Sequence, residues 1–110
     1  MAKFEHTVTG NFSHFLSKIE EGILNGSMSA SLEESSDFRS GDARCSVRVF
    51  ERYSYFGGNR VSLSVTLFQN ADEPIRISAI STGGSQAVFF KVNTVGEEAF
   101  LDKLKNILEG

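Results

Sequence analysis

The arginines of this chain form a pattern that favours binding of an anionic or aromatic partner. Five of its six arginines lie at even-numbered positions in the middle of the chain: Arg44, Arg48, Arg52, Arg60 and Arg76. Phe50 and Phe68 share that parity. Residues of one parity share a face of a strand, and guanidinium groups interleaved with aromatic rings suit an anionic or stacked ligand. We therefore expect these seven residues to form one partner-binding face.

The same arginines also have an explanation that needs no partner. Glu33 and Asp37 are predicted opposite Arg48 and Arg44 across a hairpin, and such cross-strand pairs contribute only about 0.2 to 1 kcal/mol each. The formal net charge is -3 and the pI is about 5.3, so there is no global positive field to attract nucleic acid. A protein partner or self-association is the functional interpretation, and nucleic acid is not expected.

A second group of residues that could do chemistry centres on Glu51. The predicted strand pairing places its carboxylate in an apolar layer that also contains Tyr53 and His6, and an unpaired buried carboxylate is costly. A pocket for a small ligand between sheet and helices, binding or catalytic, would account for this placement. Alternatively, the sheet extends past its helices at this point, or a bulge turns Glu51 outward.

The sequence offers no catalytic or metal-binding constellation. Its single cysteine, Cys45, and its two histidines, His6 and His14, do not have metal-ligand spacing, so we expect neither a metal nor a cofactor. Gly83-Gly84-Ser85 lacks the phosphate-loop pattern and predicts a turn or bulge. An enzyme is therefore not the favoured interpretation. The lone cysteine and the lack of a long apolar run predict a cytoplasmic protein without a signal peptide or membrane span.

The elements that must position these residues follow from the apolar periodicity. Residues 3–9 alternate as in a half-buried strand, and residues 12–24 carry apolar side chains at helical spacing after Asn11, a candidate helix cap. Between residues 27 and 82 the period of two returns. Turn signals at 40–41, 57–59 and 70–74 divide this region into four antiparallel strands.

The end of the chain predicts a closing helix. Residues 86–92 either continue the last strand past a bulge or form a short sixth strand. Residues 94–97 match a capping box, and Leu104, Ile107 and Leu108 lie on one face of the helix that follows.

Turn lengths predict which residues face the helices. A two-residue turn at Ser40-Gly41 pairs Leu32 with Val49, and a three-residue turn at Gly57-Gly58-Asn59 keeps odd-numbered residues of the two strands that it joins opposite one another. Odd-numbered apolar residues from 47 to 79 would then face the helices, and the arginines would face away.

These elements predict one α+β domain over residues 1–110: a strand, a helix, four or five antiparallel strands and a helix. Both helices are expected on one face of a single curved antiparallel sheet. This order resembles the TATA-binding-protein-like and helix-grip architectures. The stretch from Gly83-Gly84-Ser85 through Phe89-Phe90-Lys91 to Gly96-Glu97-Glu98 resembles segments of small uncharacterised bacterial proteins, a resemblance that implies no activity.

Overall fold

Five strands and two helical segments are seen in the computed structural model, which describes residues 2–26, 29–53, 60–83 and 104–108. The elements are β1 (Ala2–Val8), α1 (Phe12–Asn25), β2 (Ser31–Ser40), β3 (Ala43–Tyr53), β4 (Arg60–Asn70) and β5 (Ile75–Gly83), followed by helical residues 104–108. The strands form one antiparallel sheet in the order β1-β5-β4-β3-β2. The predicted α+β class with an antiparallel sheet is confirmed.

The first helix begins where the sequence predicts. Asn11 has an extended backbone, and its side-chain oxygen accepts a hydrogen bond of 2.8 Å from the backbone N–H of His14. This bond satisfies one of the donors that a helix start leaves without a partner. The buried residues of α1 lie three or four positions apart: Phe12, Leu16, Ile19 and Ile23. They form the apolar stripe that the periodicity predicts.

The hydrophobic core lies on the sheet face that α1 covers. It contains the stripe of α1, one residue of β3, alternate residues of β4 and β5, and two residues of the last helical segment. The members outside α1 are Phe50, Val61, Leu63, Val65, Leu67, Ile75, Ile77, Ala79, Leu104 and Leu108. Phe4 and Val8 of β1 are half-buried and pack against this cluster.

Gly22 marks a close approach between α1 and the last helical segment. A Cβ atom built on Gly22 would lie 2.5 Å from Cδ1 and 2.7 Å from Cγ1 of Ile107. Only a residue without a side chain fits at this distance.

The strands β4 and β5 turn their odd-numbered residues toward α1 as predicted, but β3 does not. Tyr53 pairs with Arg60 and Phe50 pairs with Leu63, so even residues of β3 share a face with odd residues of β4. Phe50 and Leu63 are both completely buried. The prediction that odd residues face inward throughout is therefore wrong for β3. The cause is the spacing between the strands, since residues 54–59 separate the paired ends instead of three turn residues.

The hairpin between β2 and β3 turns one residue later than predicted. Gly41 and Asp42 lie in the turn, and Gly41 has a φ of 59°, a conformation that favours glycine. The observed register pairs Arg39 with Arg44 and Ser35 with Arg48, so the predicted positions of Asp37 and Glu33 opposite these arginines are wrong by two residues. A bulge interrupts the ladder between Leu32 and Glu34.

Several sequence predictions lie outside the described residues. They are the turn at 57–59, the strand or strand continuation at 86–92 and the capping box at 94–97.

Candidate functional site

The seven residues predicted to form one partner-binding face are divided between the two faces of the sheet. Those on the helix side are Arg44, Arg48, Phe50 and Arg52. Those on the opposite face, which we call the outer face, are Arg60, Phe68 and Arg76. The single face predicted from the sequence is therefore wrong, because the register of β3 against β4 reverses the parity of β3.

Arg48 connects the helix to two strands from a nearly buried position. Its Nε donates a hydrogen bond to Glu20 Oε2 at 2.6 Å, and its Nη2 lies 3.1 Å from Asp37 Oδ1. Ser46 Oγ donates to the same Asp37 oxygen at 2.5 Å. The residue is only 8% exposed, so these partners replace the water that its charge has lost.

The contacts of this cluster favour the charged forms of Asp37 and Arg48. The hydrogen bond from Ser46, followed by the contacts with Arg48, lowers the pKa of Asp37 despite the opposing effect of burial. Burial alone would lower the pKa of Arg48, but its hydrogen bonds to Glu20 and Asp37 outweigh burial and raise it. Burial lowers the pKa of Arg52, the next arginine on this face.

The predicted pocket around Glu51 is wrong, because its three residues do not meet. Glu51 lies on the outer face, where its Oε1 accepts a hydrogen bond of 2.8 Å from Arg60 Nε. The Arg60 guanidinium also lies 5.3 Å from the centroid of the Tyr53 ring on that face. His6 lies on the helix side of β1, opposite Ile77, with two strands, β5 and β4, between β1 and β3 in the sheet order. Glu51 faces outward because of the register of β3 against β4, and not because a bulge turns it.

The outer face carries a row of cross-strand neighbours that is apolar on β2, β3 and β4 and polar on β5 and β1. The cross-strand neighbours in this row are Phe38, Cys45, Phe68, Arg76 and Thr7. Phe38 is 57% exposed and Phe68 is 40% exposed. A hollow of about 100 Å³ between them includes Cys45 in its wall. A second hollow of about 280 Å³ lies on the other side of Phe68 and includes Arg76.

Charges of both signs are distributed over the outer face. The basic residues are Lys3, Arg60 and Arg76, and the acidic residues are Glu5, Glu33, Glu34 and Glu51. Glu33 and Glu51 lie 3.8 Å and 2.8 Å from Arg60. Within the described part of the chain, Arg76 forms no ion pair. The face therefore has no dominant sign of charge.

Sequence reasoning missed a pair of arginines on the helix side of the β2–β3 hairpin. Arg39 and Arg44 are direct cross-strand partners. The Arg44 guanidinium lies 4.0 Å from the centroid of the Phe12 ring, and its Nη1 donates to Ser13 Oγ at 3.3 Å. The signal was present in the sequence, since a glycine followed by an aspartate is a favoured two-residue hairpin turn, and centring it on Gly41 places these arginines opposite each other.

Among the described residues, no group of three or more His, Cys, Asp and Glu side chains could hold a metal ion. No helix in the same set of residues has the length and apolar character needed to cross a membrane.

Comparison with known proteins gives a family without a described activity. No curated protein and no solved structure matches the chain. One family model matches residues 1–110, and its description is a family of unknown function, DUF6054. The match covers the whole sequence, and the chain therefore belongs to the family DUF6054.

Proposed function

We propose that this protein is a non-enzymatic interaction module that self-associates through the outer face of its sheet. The observation that carries the proposal is the exposed row containing Phe38, Cys45 and Phe68. Phe38 and Phe68 lie on either side of Cys45, and two large exposed aromatic side chains on one sheet face favour burial against another surface. Ile80, 39% exposed on the same face, extends the apolar area.

A second copy of the chain fits this face because one row of residues pairs favourably with the same row running in the opposite direction. From β2 to β1 the row reads Glu34, Val49, Ser64, Ile80 and Lys3. A two-fold axis along β4 would place Glu34 opposite Lys3 of the second copy and Val49 opposite Ile80. Such an interface is isologous, with the same patch on both subunits.

The same axis places Phe68 opposite Phe68 of the second copy. Aromatic rings in contact contribute about 0.5 to 1.5 kcal/mol beyond the area that they bury. Two sheets that pack face to face keep their strands within about 30° of each other, so the alignment of the rows is closest at β4, where the axis lies.

The size of the face also suits a dimer. Five strands about 4.8 Å apart and about 27 Å long give a face of roughly 650 Å². A standard stable interface buries about 800 Å² on each partner, which is of the same order. The mixed charges argue against nucleic acid, which requires a basic surface.

Sedimentation equilibrium with charge-reversed variants tests the proposal. We expect the wild-type protein to dimerise and both Lys3→Glu and Glu34→Lys to weaken the dimer, because each places like charges opposite each other. The double variant restores the opposite charges across the interface, so we expect its dimer to regain the wild-type affinity.

Glu21→Lys is the matched control, because Glu21 is exposed on α1 and far from the outer face. Its dimer should have the wild-type affinity. A protein that remains monomeric at about 1 mM, or a double variant as weak as either single variant, would contradict the proposal. Cys45, the only cysteine, provides an independent probe, since dimerisation should slow its reaction with a maleimide.

We also propose that the chain is a cytoplasmic bacterial protein with the TATA-binding-protein-like or helix-grip architecture. The strand order supports the fold assignment, since α1 connects β1 and β2 at opposite edges of one antiparallel sheet. Superposition of an experimental structure on members of those folds tests it. The lone cysteine supports a reducing compartment.

A further inference from the structure

We propose that the hollow beside Arg39 and Arg44 binds a small molecule that carries a phosphate monoester. The hollow lies at the turn end of the β2–β3 hairpin and has a volume of about 360 Å³. Its wall includes both arginines together with Asp37 and Ser46. All four residues belong to the helix side of the sheet.

The strongest argument is that two like charges are directly opposite each other. Arg39 and Arg44 are cross-strand partners, and like charges in this position destabilise a sheet. In the described ranges no acidic side chain lies within ion-pair distance of either guanidinium. An anion between them would convert repulsion into attraction on both sides.

Asp37 lines the hollow and attracts Arg44 weakly, but its direct contacts are with Ser46 and Arg48. Its Oδ1 accepts the hydrogen bond from Ser46 and lies 3.1 Å from Arg48 Nη2. Counted together, Arg39, Arg44 and Arg48 outnumber Asp37 and Glu20 by one positive charge. This excess stands out in a chain of net charge -3.

The side chains of the two arginines differ in how firmly neighbouring residues hold them. Arg44 is held by the Phe12 ring and the Ser13 hydroxyl, whereas Arg39 is exposed. A fixed guanidinium and a mobile one can bind one oxyanion from two sides. The N–H donors of each guanidinium can form paired hydrogen bonds with two phosphate oxygens. A phosphate monoester carries nearly two negative charges at neutral pH and has three free oxygens. It can therefore bind both guanidinium groups better than a diester or a carboxylate can.

The volume of the hollow favours a small molecule. Pockets for small ligands start at about 300 Å³, so this hollow can hold a phosphate group and several further atoms. Both arginines lie on the opposite side of the sheet from the self-association surface, and Phe38 is the one lining residue of the hollow that belongs to that surface. Binding of phosphate and dimerisation can therefore succeed or fail independently.

Titration of the full-length protein with inorganic phosphate, followed by backbone amide NMR shifts, tests the proposal. We expect saturable shifts centred on residues 37–46. Arg39→Gln should raise the phosphate dissociation constant at least about tenfold, because it removes one of the two guanidinium groups. Arg76→Gln is the matched control: this exposed arginine lies on the outer face, and its removal should leave the constant unchanged.

The thermal stability of Arg39→Gln provides a second measurement. In phosphate-free buffer its Tm should equal or exceed that of the wild type, because the variant removes a repulsion. Saturating phosphate should raise the Tm of the wild type by about 5 °C or more and leave that of the variant unchanged. Sodium chloride at the same ionic strength separates specific binding from screening.

Three ligands define the chemical class: inorganic phosphate, glycerol 3-phosphate and dimethyl phosphate. We expect glycerol 3-phosphate to bind at least as tightly as inorganic phosphate and dimethyl phosphate at least about tenfold more weakly, because the diester has one charge and two free oxygens. Any of four results overturns the proposal. The first two are that phosphate causes no saturable amide shift and that Arg39→Gln binds phosphate as tightly as the wild type does. The other two are that sodium chloride reproduces the whole effect of phosphate on Tm and that dimethyl phosphate binds as tightly as glycerol 3-phosphate.

Discussion

Arg48 and its two acidic partners differ in how much water each can reach. The side chain of Arg48 is 10% exposed, whereas those of Glu20 and Asp37 are 30% and 60% exposed. Loss of a carboxylate leaves a charge that water can hardly reach, while loss of the guanidinium lets both carboxylates return to solvent. Removal of one partner from a buried charge therefore destabilises more than removal of the buried charge itself.

We predict that Glu20→Ala lowers the free energy of unfolding by about 1 to 2 kcal/mol and Arg48→Met by less than about 1 kcal/mol. Urea denaturation at pH 7 measures both. Glu21→Ala, a neighbouring exposed site on α1, is the control and should change stability by less than about 0.5 kcal/mol. A larger loss in Arg48→Met than in Glu20→Ala would be incompatible with this account.

The lowered pKa of Asp37 predicts a pH dependence of stability. Below its usual pKa of 3.8 the unfolded chain takes up the proton first, so the folded state loses this contribution only as the pH falls through the lower folded pKa. Asp37→Asn should lower the free energy of unfolding at pH 7 by up to about 1 kcal/mol, since Asp37 is largely exposed. The difference from wild type should persist at pH 5 and decrease as the pH falls below 3.8.

Urea midpoints at pH 7, 5 and 2.5 measure this difference. Asp72→Asn, in the exposed turn between β4 and β5, is the control substitution. A deficit of Asp37→Asn that stays constant down to pH 2.5 would show that its ionised carboxylate is not the cause.

At the scale of elements, the sequence pattern within a segment predicts the features that depend on that segment alone. The cap at Asn11, the apolar stripe of α1 and the inward faces of β4 and β5 each follow from a period within one segment. β3 has apolar residues on both faces, with Val49 on one and Phe50 on the other. Its orientation depends on the residues between the strands, so its own sequence could not predict it.

The candidate site was predicted only in its residue types for the same reason. The sequence identifies arginines of the middle strands as the residues to examine, but their division between two faces follows from one register. Arg39 was left out because its odd number separated it from the other five. Its pairing with Arg44 depends on a turn placed one residue later than predicted.

The contact between α1 and residues 104–108 predicts the effect of adding one methyl group. Gly22→Ala would improve helix propensity by about 1 kcal/mol, but the new Cβ would lie 2.5 Å from Ile107 Cδ1. Two further Ile107 carbons lie within 3.1 Å, so the whole side chain must move. We expect a net loss of about 1 to 2 kcal/mol.

Thermal or urea unfolding measures this loss, and a double-mutant cycle assigns its cause. The double variant Gly22→Ala with Ile107→Ala should be more stable than the sum of the single effects implies, because the shortened side chain makes room for the methyl group. Strict additivity would place the cause of the loss elsewhere.

At the scale of the molecule, the outer face links stability to concentration. If only folded chains dimerise, mass action raises the Tm as protein concentration increases. We predict a higher Tm at about 500 μM than at about 5 μM for the wild type, measured by calorimetry. Phe68→Ser, which removes a 40% exposed ring from the central strand of the face, should abolish the dependence. The same dependence in Phe68→Ser would contradict a role for the outer face.

The two-sided character of β3 creates a competitor to the native state. A slip of one residue against β4 would turn Val47, Val49 and Glu51 toward the helix side and Arg48 and Phe50 away from it, which exchanges one mixture of apolar and charged residues for another. The ion pairs of Arg48 exist in one alignment only, so they select among folded isomers more than they add stability. We therefore expect Arg48→Met to remain folded but to populate two conformers in slow exchange, visible as doubled amide resonances along β2 and β3.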